Sequence, residues 1–490
     1  MMDRQKPLQP SLFYKFNLDQ RVPTDHPLRS IAGLIDFDFI YEEVEEFYGT
    51  VGKPSVPPPV ILKLMFLLAY ENVPSERQLL AMLPLRLDWL WFLGMDLDSN
   101  IPDHSVLSKA RTRWGTAAFR SLFQRVIHQA NEAGLIDGRR IFCDGSLFDA
   151  NASRKSVVTV GVVDLDAMSD ELEQKLDGDQ TSKDPAEEEP EGTVRAQRRS
   201  TTDPDAAVVT KPGAGPARPR YKAHRAVDDH SGVITATEVT SGDADEGQHL
   251  EDLINQHEFN TDSEAVVVVA DTQYGTTENY LMCLDRAITP RMRLLANQNE
   301  ARQKKNGLFT RDAFEYLEDA NAYRCPAGEL LGPKQNRQDR DAVRYGPDAH
   351  KCAHCELHDR CTTSAARSIM RHIRQSEIEL ALADLRTEPA RADLKRRHHF
   401  MERSFAVAVR HGFKRCRWRE LWRAEIHELL VATVQNVAVL ARNSVRKPRA
   451  TDSKKVAEVA TSLAIKIKAR LARITTMTML AMRPLAGLTS

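Results

Sequence analysis

The sequence predicts an α/β protein with a helical N-terminal region, a core built on a sheet, and a small cysteine-rich insert followed by more helix. Three observations carry this. Apolar spacing is helical up to about residue 135, it changes to short strand-like runs after Gly138, and four of the seven cysteines crowd between Cys325 and Cys361.

In the helical region, PPPVILKLMFLLAYENV opens on prolines suited to a first helical turn. PSERQLLAMLP carries Ser75 with Gln78 three residues on, a capping-box spacing, ahead of Leu79, Leu80 and Leu83. A third helix is predicted through HSVLSKARTRWGTAAFRSLFQRVIHQANEAG, with Lys109, Arg111 and Arg113 near its start. Short helices leading to a basic one suit a helix-turn-helix-like DNA reader, and they equally suit a plain helical bundle.

The core begins with IFCDGSLFDANAS. Arg140 to Asp144 reads as a strand ending on a carboxylate, although Asp is a poor strand former. Either the strand holds Asp144 over a cleft, or Asp144 and Gly145 begin a turn. Tyr221 to Val227 and Val233 to Thr240 read as two more strands, joined by the turn-forming Asp228 to Gly232. Helical spacing returns from Glu246 to Gln256. AVVVVAD then gives a continuous β-branched run, the mark of a buried central strand, and it too ends on an Asp, Asp271. Val163 to Glu191 holds twelve acids against two lysines without apolar periodicity, so residues 163–199 are expected to form a disordered or loosely ordered insertion. From about Ile378 the chain is helical again. Ile426, Leu429, Leu430, Val434, Val437 and Leu440 repeat at helical spacing, which places Glu425 and Glu428 at the solvent edge of that helix; Glu420 is expected to pair with Arg423 or Arg419.

A chain of 490 residues accommodates two or three domains, and 42% hydrophobic with 28% charged residues is ordinary for a globular protein. The longest apolar run, Val60 to Tyr70, is too short to span a membrane and contains Lys63, and the N-terminus lacks the apolar stretch of a signal peptide. A cytoplasmic protein with no membrane partner is expected. The net charge of −1 conceals a segregation: Arg391 to Arg423 holds eleven basic residues against three acids, and Arg442 to Arg473 holds ten against two. Interleaved with Phe400, Phe405, Phe413, Trp418 and Trp422, these runs point to a polyanion-binding surface. The candidate DNA contacts are Lys109, Arg111, Arg113, Arg397, Arg403, Arg410, Lys414 and Arg415.

Two metal sites are legible. If the strands ending on Asp144 and Asp271 are parallel neighbours, both carboxylates emerge at one edge, an arrangement that suits Mg²⁺. Two such ions roughly 4 Å apart support in-line displacement at phosphorus, with a third acid expected from another element. Separately, Cys325, Cys352, Cys355 and Cys361 offer a closed tetrahedral Zn²⁺ site that would staple a segment too polar to fold around its own core. His354 or His358 could replace one cysteine, and four reduced buried thiols are the alternative. Cys143, Cys283 and Cys416 are scattered and read as core residues.

DGSLFDANAS, STTDPDA, YKAHRAVDDHSGVIT, VVVADTQYG and MERSF come one after another in the order of the successive blocks of the DDE transposases of bacterial insertion sequences. The sequence resembles the branch with a separate N-terminal helical domain and a zinc-ribbon-like insert, over most of residues 10–442. The resemblance implies an RNase H-like mixed-sheet catalytic core with Asp144 on its first strand, Asp271 after its fourth, and Glu402 on a helix following the insert. It implies Mg²⁺ or Mn²⁺ as cofactor, hydrolysis at the transposon end, and attack of the freed 3′-hydroxyl on target DNA. The implied partners are double-stranded DNA, as terminal inverted repeats and as target, and further copies of the chain in a homodimer or higher oligomer on DNA, associated with the nucleoid. The implied parts are a DNA-end-binding domain (1–135), the first part of the core (136–300), the insert (301–368), the helical end of the core (369–443) and a basic tail (444–490). Three positions depart from the family pattern. His398 (beside Arg397) stands where Arg or Tyr is common, Val409 (beside Arg410) where a basic residue is common, and Gln273 where Gly is common, although Tyr274 matches. Two other readings use the same fold, a catalytically inactive DNA-binding relative and a metal-dependent nuclease that cuts without joining.

Overall fold

A computed structural model describes residues 16–49, 51, 54–163, 194–210, 215–295, 305–337, 341–347, 351–352 and 354–444. Most of the acidic stretch and nearly all of the C-terminal basic tail lie outside these residues. One compact unit extends to Ala441; Arg442–Ser490 form a second, described only at its first residues.

The N-terminal region is helical, with α1 Leu18–Arg21, α2 Pro27–Leu34, α3 Ile40–Val44, α4 Pro58–Tyr70, α5 Glu76–Met82, α6 Leu87–Leu93, α7 His104–Trp114 and α8 Ala117–Glu132. Helix α4 starts on its prolines, which have no amide hydrogen to leave unsatisfied there, and Ser75 Oγ accepts from Gln78 N at 3.2 Å to cap α5. The long helix expected from His104 is two helices. Gly115 adopts φ 60°, ψ −151°, a conformation that L side chains rarely adopt, and α8 starts after it.

The central sheet contains β1 Arg140–Asp149, β2 Val157–Val163, β3 Val194–Ser200, β4 Ala207–Val209, β5 Arg218–Asp228, β6 Ile234–Ser241, β7 Val267–Val269 and β8 Thr289–Arg291. Its core order is β6-β5-β1-β7-β8. Strand β5 is antiparallel to β1 and β6, whereas β7 is parallel to β1 and β8 is parallel to β7. This mixed sheet is the RNase H-like core. Consecutive residues Ile141, Phe142 and Cys143 are all buried because both faces are covered: Ile141 and Cys143 pack with Leu250, Leu253, Ile254 and Tyr280, and Phe142 packs with Met401 and the N-terminal helices' cluster. The former residues belong to helices α9 Leu250–Thr261 and α10 Thr277–Asp285.

Two expectations change here. Strand β1 does not stop at Asp144 but continues to Asp149 in unbroken register with β5, so Asp144-Gly145 is not a turn. Residues 194–199, placed in the acidic insertion, belong to β3, which pairs with β2; the pairing depends on a partner strand and not on apolar periodicity of its own.

The insert carries an antiparallel sheet of β9 Glu315–Leu317, β10 Ala322–Arg324, β11 Leu330–Arg337, β12 Ala342–Gly346 and β13 Ile369–His372, with the short α11 His358–Cys361 between β12 and β13 and helix α12 Gln375–Asp384 after β13. It does have a small core of its own, Phe314, Tyr323, Leu331, Tyr345 and Ile369. Two long helices close the described chain, α13 Glu388–Arg410 and α14 Leu421–Ser444. Leu421–Asn443 is long and apolar enough to cross a membrane by composition, but 83% of its most apolar stretch is buried, the setting of a core helix. Backbone amides at its start donate to Asp203 and Asp205, which gives the STTDPDA segment a capping role.

Glu428 is not at a solvent edge. It is fully buried and accepts from Arg225 Nε at 2.6 Å and Nη2 at 3.0 Å, and from Thr237 Oγ1 at 3.0 Å. Arg225 Nη1 donates to Ser404 Oγ and Gln435 Oε1. A buried ion pair is tolerable only when hydrogen bonds satisfy both partners, as they do here, and this one ties α13 and α14 to β5. Glu425 is also drawn inward, paired with Arg120, whereas Glu420 pairs with Arg423 at 3.4 Å as expected.

Candidate active site

Register sets the site. Parallel pairing of Phe142 with Val269 puts the segments carrying Asp144 and Asp271 at the same edge of adjacent strands. A single side chain bridges them: Arg397 Nη1 lies 2.7 Å from Asp144 Oδ2, and Nη2 lies 3.7 Å from Asp271 Oδ1. Arg397 reaches this point from α13, which is held in place one turn earlier, where buried Asp393 pairs with Arg291 of β8 and with Arg140 of β1. Burial pushes the Asp144 carboxyl up to about 6; Arg397 opposes this, and the charges of Asp271 and Glu246 reinforce it.

Asp271 is held by the turn after it. The 3-10 turn Thr272–Tyr274 buries Tyr274 completely, with its hydroxyl 3.0 Å from His224 Nδ1; His224 Nε2 lies 2.9 Å from Thr240 Oγ1. Burial, aided by the nearby His249 and Lys222, lowers His224 to about 3, so it is a neutral strut at physiological pH. Gly275 is required by packing, since a Cβ there would lie 1.9 Å from the Arg293 carbonyl oxygen.

Sequence reasoning missed Glu246. It starts the 3-10 turn Glu246–His249 and pairs with Lys222 at 3.2 Å. A Cβ at position 145 would lie 3.1 Å from its carboxyl carbon. Glycine after Asp144 thus makes room for a second acid, and that is the one signal the sequence offered. Nearby, Glu238, His249 and Asp252 bring ligand atoms within 4.8 Å of one another.

Comparison with known families decides what this site belongs to. A model described as a transposase DDE domain matches residues 163–437, more than half of the chain, and one described as a transposase domain, DUF772, matches residues 16–113. The chain belongs to the DDE transposase family. No curated protein and no solved structure matches it. The DDE match covers Asp271 and Glu402 and begins after Asp144. Membership in this family brings action on DNA and, for DDE transposases in general, dependence on a divalent metal.

Glu402, the third acid of the family order, is 69% exposed and faces His398 at 3.5 Å. It lies five residues beyond Arg397, about 140° around a helix, so the face of α13 that meets Asp144 is not the face that carries Glu402. Among the candidate DNA contacts of this DDE transposase, Arg111 is a correction. It is 4% exposed, ion-paired with Glu76 and stacked on Trp418 at 4.2 Å, which makes it a structural cation closed to DNA. Arg397 faces the two carboxylates. Lys109, Arg113, Arg403, Arg410, Lys414 and Arg415 are exposed, Arg113 over the ring of Tyr48 and Arg415 beside Asn151.

The four insert cysteines line one cavity with His358, Phe309 and Phe314, whereas exposed His354 does not line it. Backbone bonds fold both ends of the cluster into tight turns, Gly328 N to Cys325 O at 2.8 Å and Cys355 N to Cys352 O at 3.3 Å. Burial raises the Cys361 thiol, and the other three cysteines reinforce this. Cys143, Cys283 and Cys416 are buried in the core, as expected.

Proposed function

We propose that this protein cuts double-stranded DNA at the terminal inverted repeats of its transposon and joins the freed 3′-hydroxyl to target DNA. The observation that carries the reading is the convergence of Asp144 and Asp271 on adjacent parallel strands beneath one guanidinium. The donors fit a hard divalent cation, Mg²⁺ or Mn²⁺: they are carboxylate oxygens at one edge of adjacent parallel strands, with Arg397 between them. When bound, such a cation supplies charge stabilisation to the attacking and leaving oxygens of phosphoryl transfer.

The chain's own residues do the rest. Asp144 and Asp271 would hold the cation, and the Tyr274–His224–Thr240 strut fixes the Asp271 turn. Arg397, which bridges the two carboxylates, is the cation placed to meet a phosphate at the site. Glu402, implied by the family order, is the third acid of this reading and stands on the exposed face of α13. Lys109, Arg113, Arg403, Arg410, Lys414 and Arg415 contact the DNA backbone, where each cation gains by releasing counterions. We further propose that Cys325, Cys352, Cys355 and Cys361 hold a structural Zn²⁺; four thiols in one cavity fit its tetrahedral preference.

The test is incubation of the purified protein with end-labelled transposon ends and Mg²⁺ or Mn²⁺, and then resolution of nicked and strand-joined products. Cleavage and joining are expected. DNA binding without either product supports an inactive relative, and cleavage without joining supports a nuclease.

A further inference from the structure

We propose that Glu246 is an additional carboxylate of the cation-binding cluster, set beside Asp144 and Asp271 by two dedicated packing devices. The inference rests on reading that pair as a cation site. The first device is Gly145. Its neighbours in β1 and β5 are paired on both sides, so nothing in the strand itself calls for glycine, and it is absent from the residues with positive φ. What it leaves is space: a Cβ would stand 3.1 Å from Cδ and 3.2 and 3.3 Å from the two carboxylate oxygens of Glu246, so the carboxylate would have to give way by a few tenths of an ångström. The carboxylate therefore lies against the strand directly after Asp144.

The second device is Asn279 of α10. Its Nδ2 donates both to Gly247 O at 2.7 Å and to Tyr274 O at 2.8 Å, so one buried amide pins the turn carrying Glu246 to the turn after Asp271. Gly247 allows that contact, since a Cβ there would stand 2.7 Å from Thr276 Cγ2. Glu246 and Asp271 are thus set by one clamp. Glu246 is ion-paired with Lys222 at 3.2 Å, and the clamp places this pair beside the turn that carries Asp271. Lys222 also donates to Ala244 O at 2.8 Å, which keeps its ammonium at the mouth of the same turn.

The experiment is Mn²⁺ binding to the full, zinc-loaded chain, read by electron paramagnetic resonance of free Mn²⁺, in the parent, D144N, D271N, E246Q, K222Q and G145A. D144N is expected to lose the site. E246Q is expected to weaken Mn²⁺ by about 10–100-fold, and G145A to weaken it as well by displacing the carboxylate without removing it. K222Q is expected to stay within about threefold of the parent, because it removes a competing cation and not a ligand. Parent-like affinity in E246Q, or in G145A should E246Q fail to fold, overturns the proposal. So does a loss in K222Q as large as that in E246Q, which would make the pair structural. If D144N and D271N bind Mn²⁺ as the parent does, the cation site itself is misplaced and this inference falls with it; loss in D144N alongside normal E246Q isolates the failure to Glu246.

Discussion

Replacing Asp144 with Asn probes the electrostatics of the site without DNA. The Asp144 side chain is 24% exposed, and burial holds its carboxyl at about 6 against an ordinary value of 3.8, with Arg397 opposing and the neighbouring acids reinforcing the shift. A shift of about two units corresponds to roughly 3 kcal/mol by which the fold disfavours the ionised form. Proton linkage sets the sign. An acid raised in the folded state binds more protons there than in the unfolded chain, so stability falls as pH rises from about 4 through about 6 and is level above that. Asn cannot ionise. D144N in buffer free of Mg²⁺ and Mn²⁺ is therefore expected to be more stable than the parent by about 3 kcal/mol at pH 8, with about half of that margin developing between pH 5 and pH 8. Scanning calorimetry should show this as a melting temperature a few degrees higher at pH 8. A D144N protein that melts below the parent at pH 8, or by an equal margin at both pH values, would refute the reasoning.

Arg111→Ala is expected to lower stability by about 3 kcal/mol, because it strands Glu76 and uncovers Trp418, while Lys109→Ala leaves the melt unchanged and weakens DNA binding; thermal melts paired with mobility shifts separate the two. Glu428→Ala leaves Arg225 charged and buried, and should cost about 3–5 kcal/mol in urea titration, more than Glu420→Ala at its exposed pair. Metal analysis of reduced, intact protein should find about one equivalent of zinc, lost in Cys352→Ser; less than about half an equivalent in the parent counts against the cluster.

Local features were legible where a segment's own residues decide them. The prolines before α4, Ser75 at the start of α5 and the turn from Asp228 to Gly232 need no distant partner. The two-sided burial of β7 also showed, because a strand covered on both faces is apolar throughout. What failed was decided elsewhere in the chain. Asp144, Gly145 and Ser146 look like the end of a strand, yet β5 supplies backbone partners regardless of side chain and carries β1 on to Asp149. Glu428 looks like a solvent-edge residue until Arg225, 203 positions away, provides its counter-charge. Glu246 has no local mark, since its meaning lies in the distant glycine its carboxylate lies against. Asp144 and Asp271 were found because each interrupts an apolar run. Glu402 came from the family order alone, and the structure leaves it on an exposed helical face.

The central claim is that Asp144 and Asp271 act on DNA through a divalent cation and not through DNA affinity. It is tested most directly by measuring, on the same labelled transposon end, both binding and 3′-end cleavage by the parent, D144N and D271N, with and without Mn²⁺. The account predicts that cleavage by the parent requires the cation and vanishes in both variants, while end binding stays within about threefold, because neither Asp contributes a phosphate-contacting charge. Binding and cleavage falling together in both variants, or cleavage persisting in either, would contradict it.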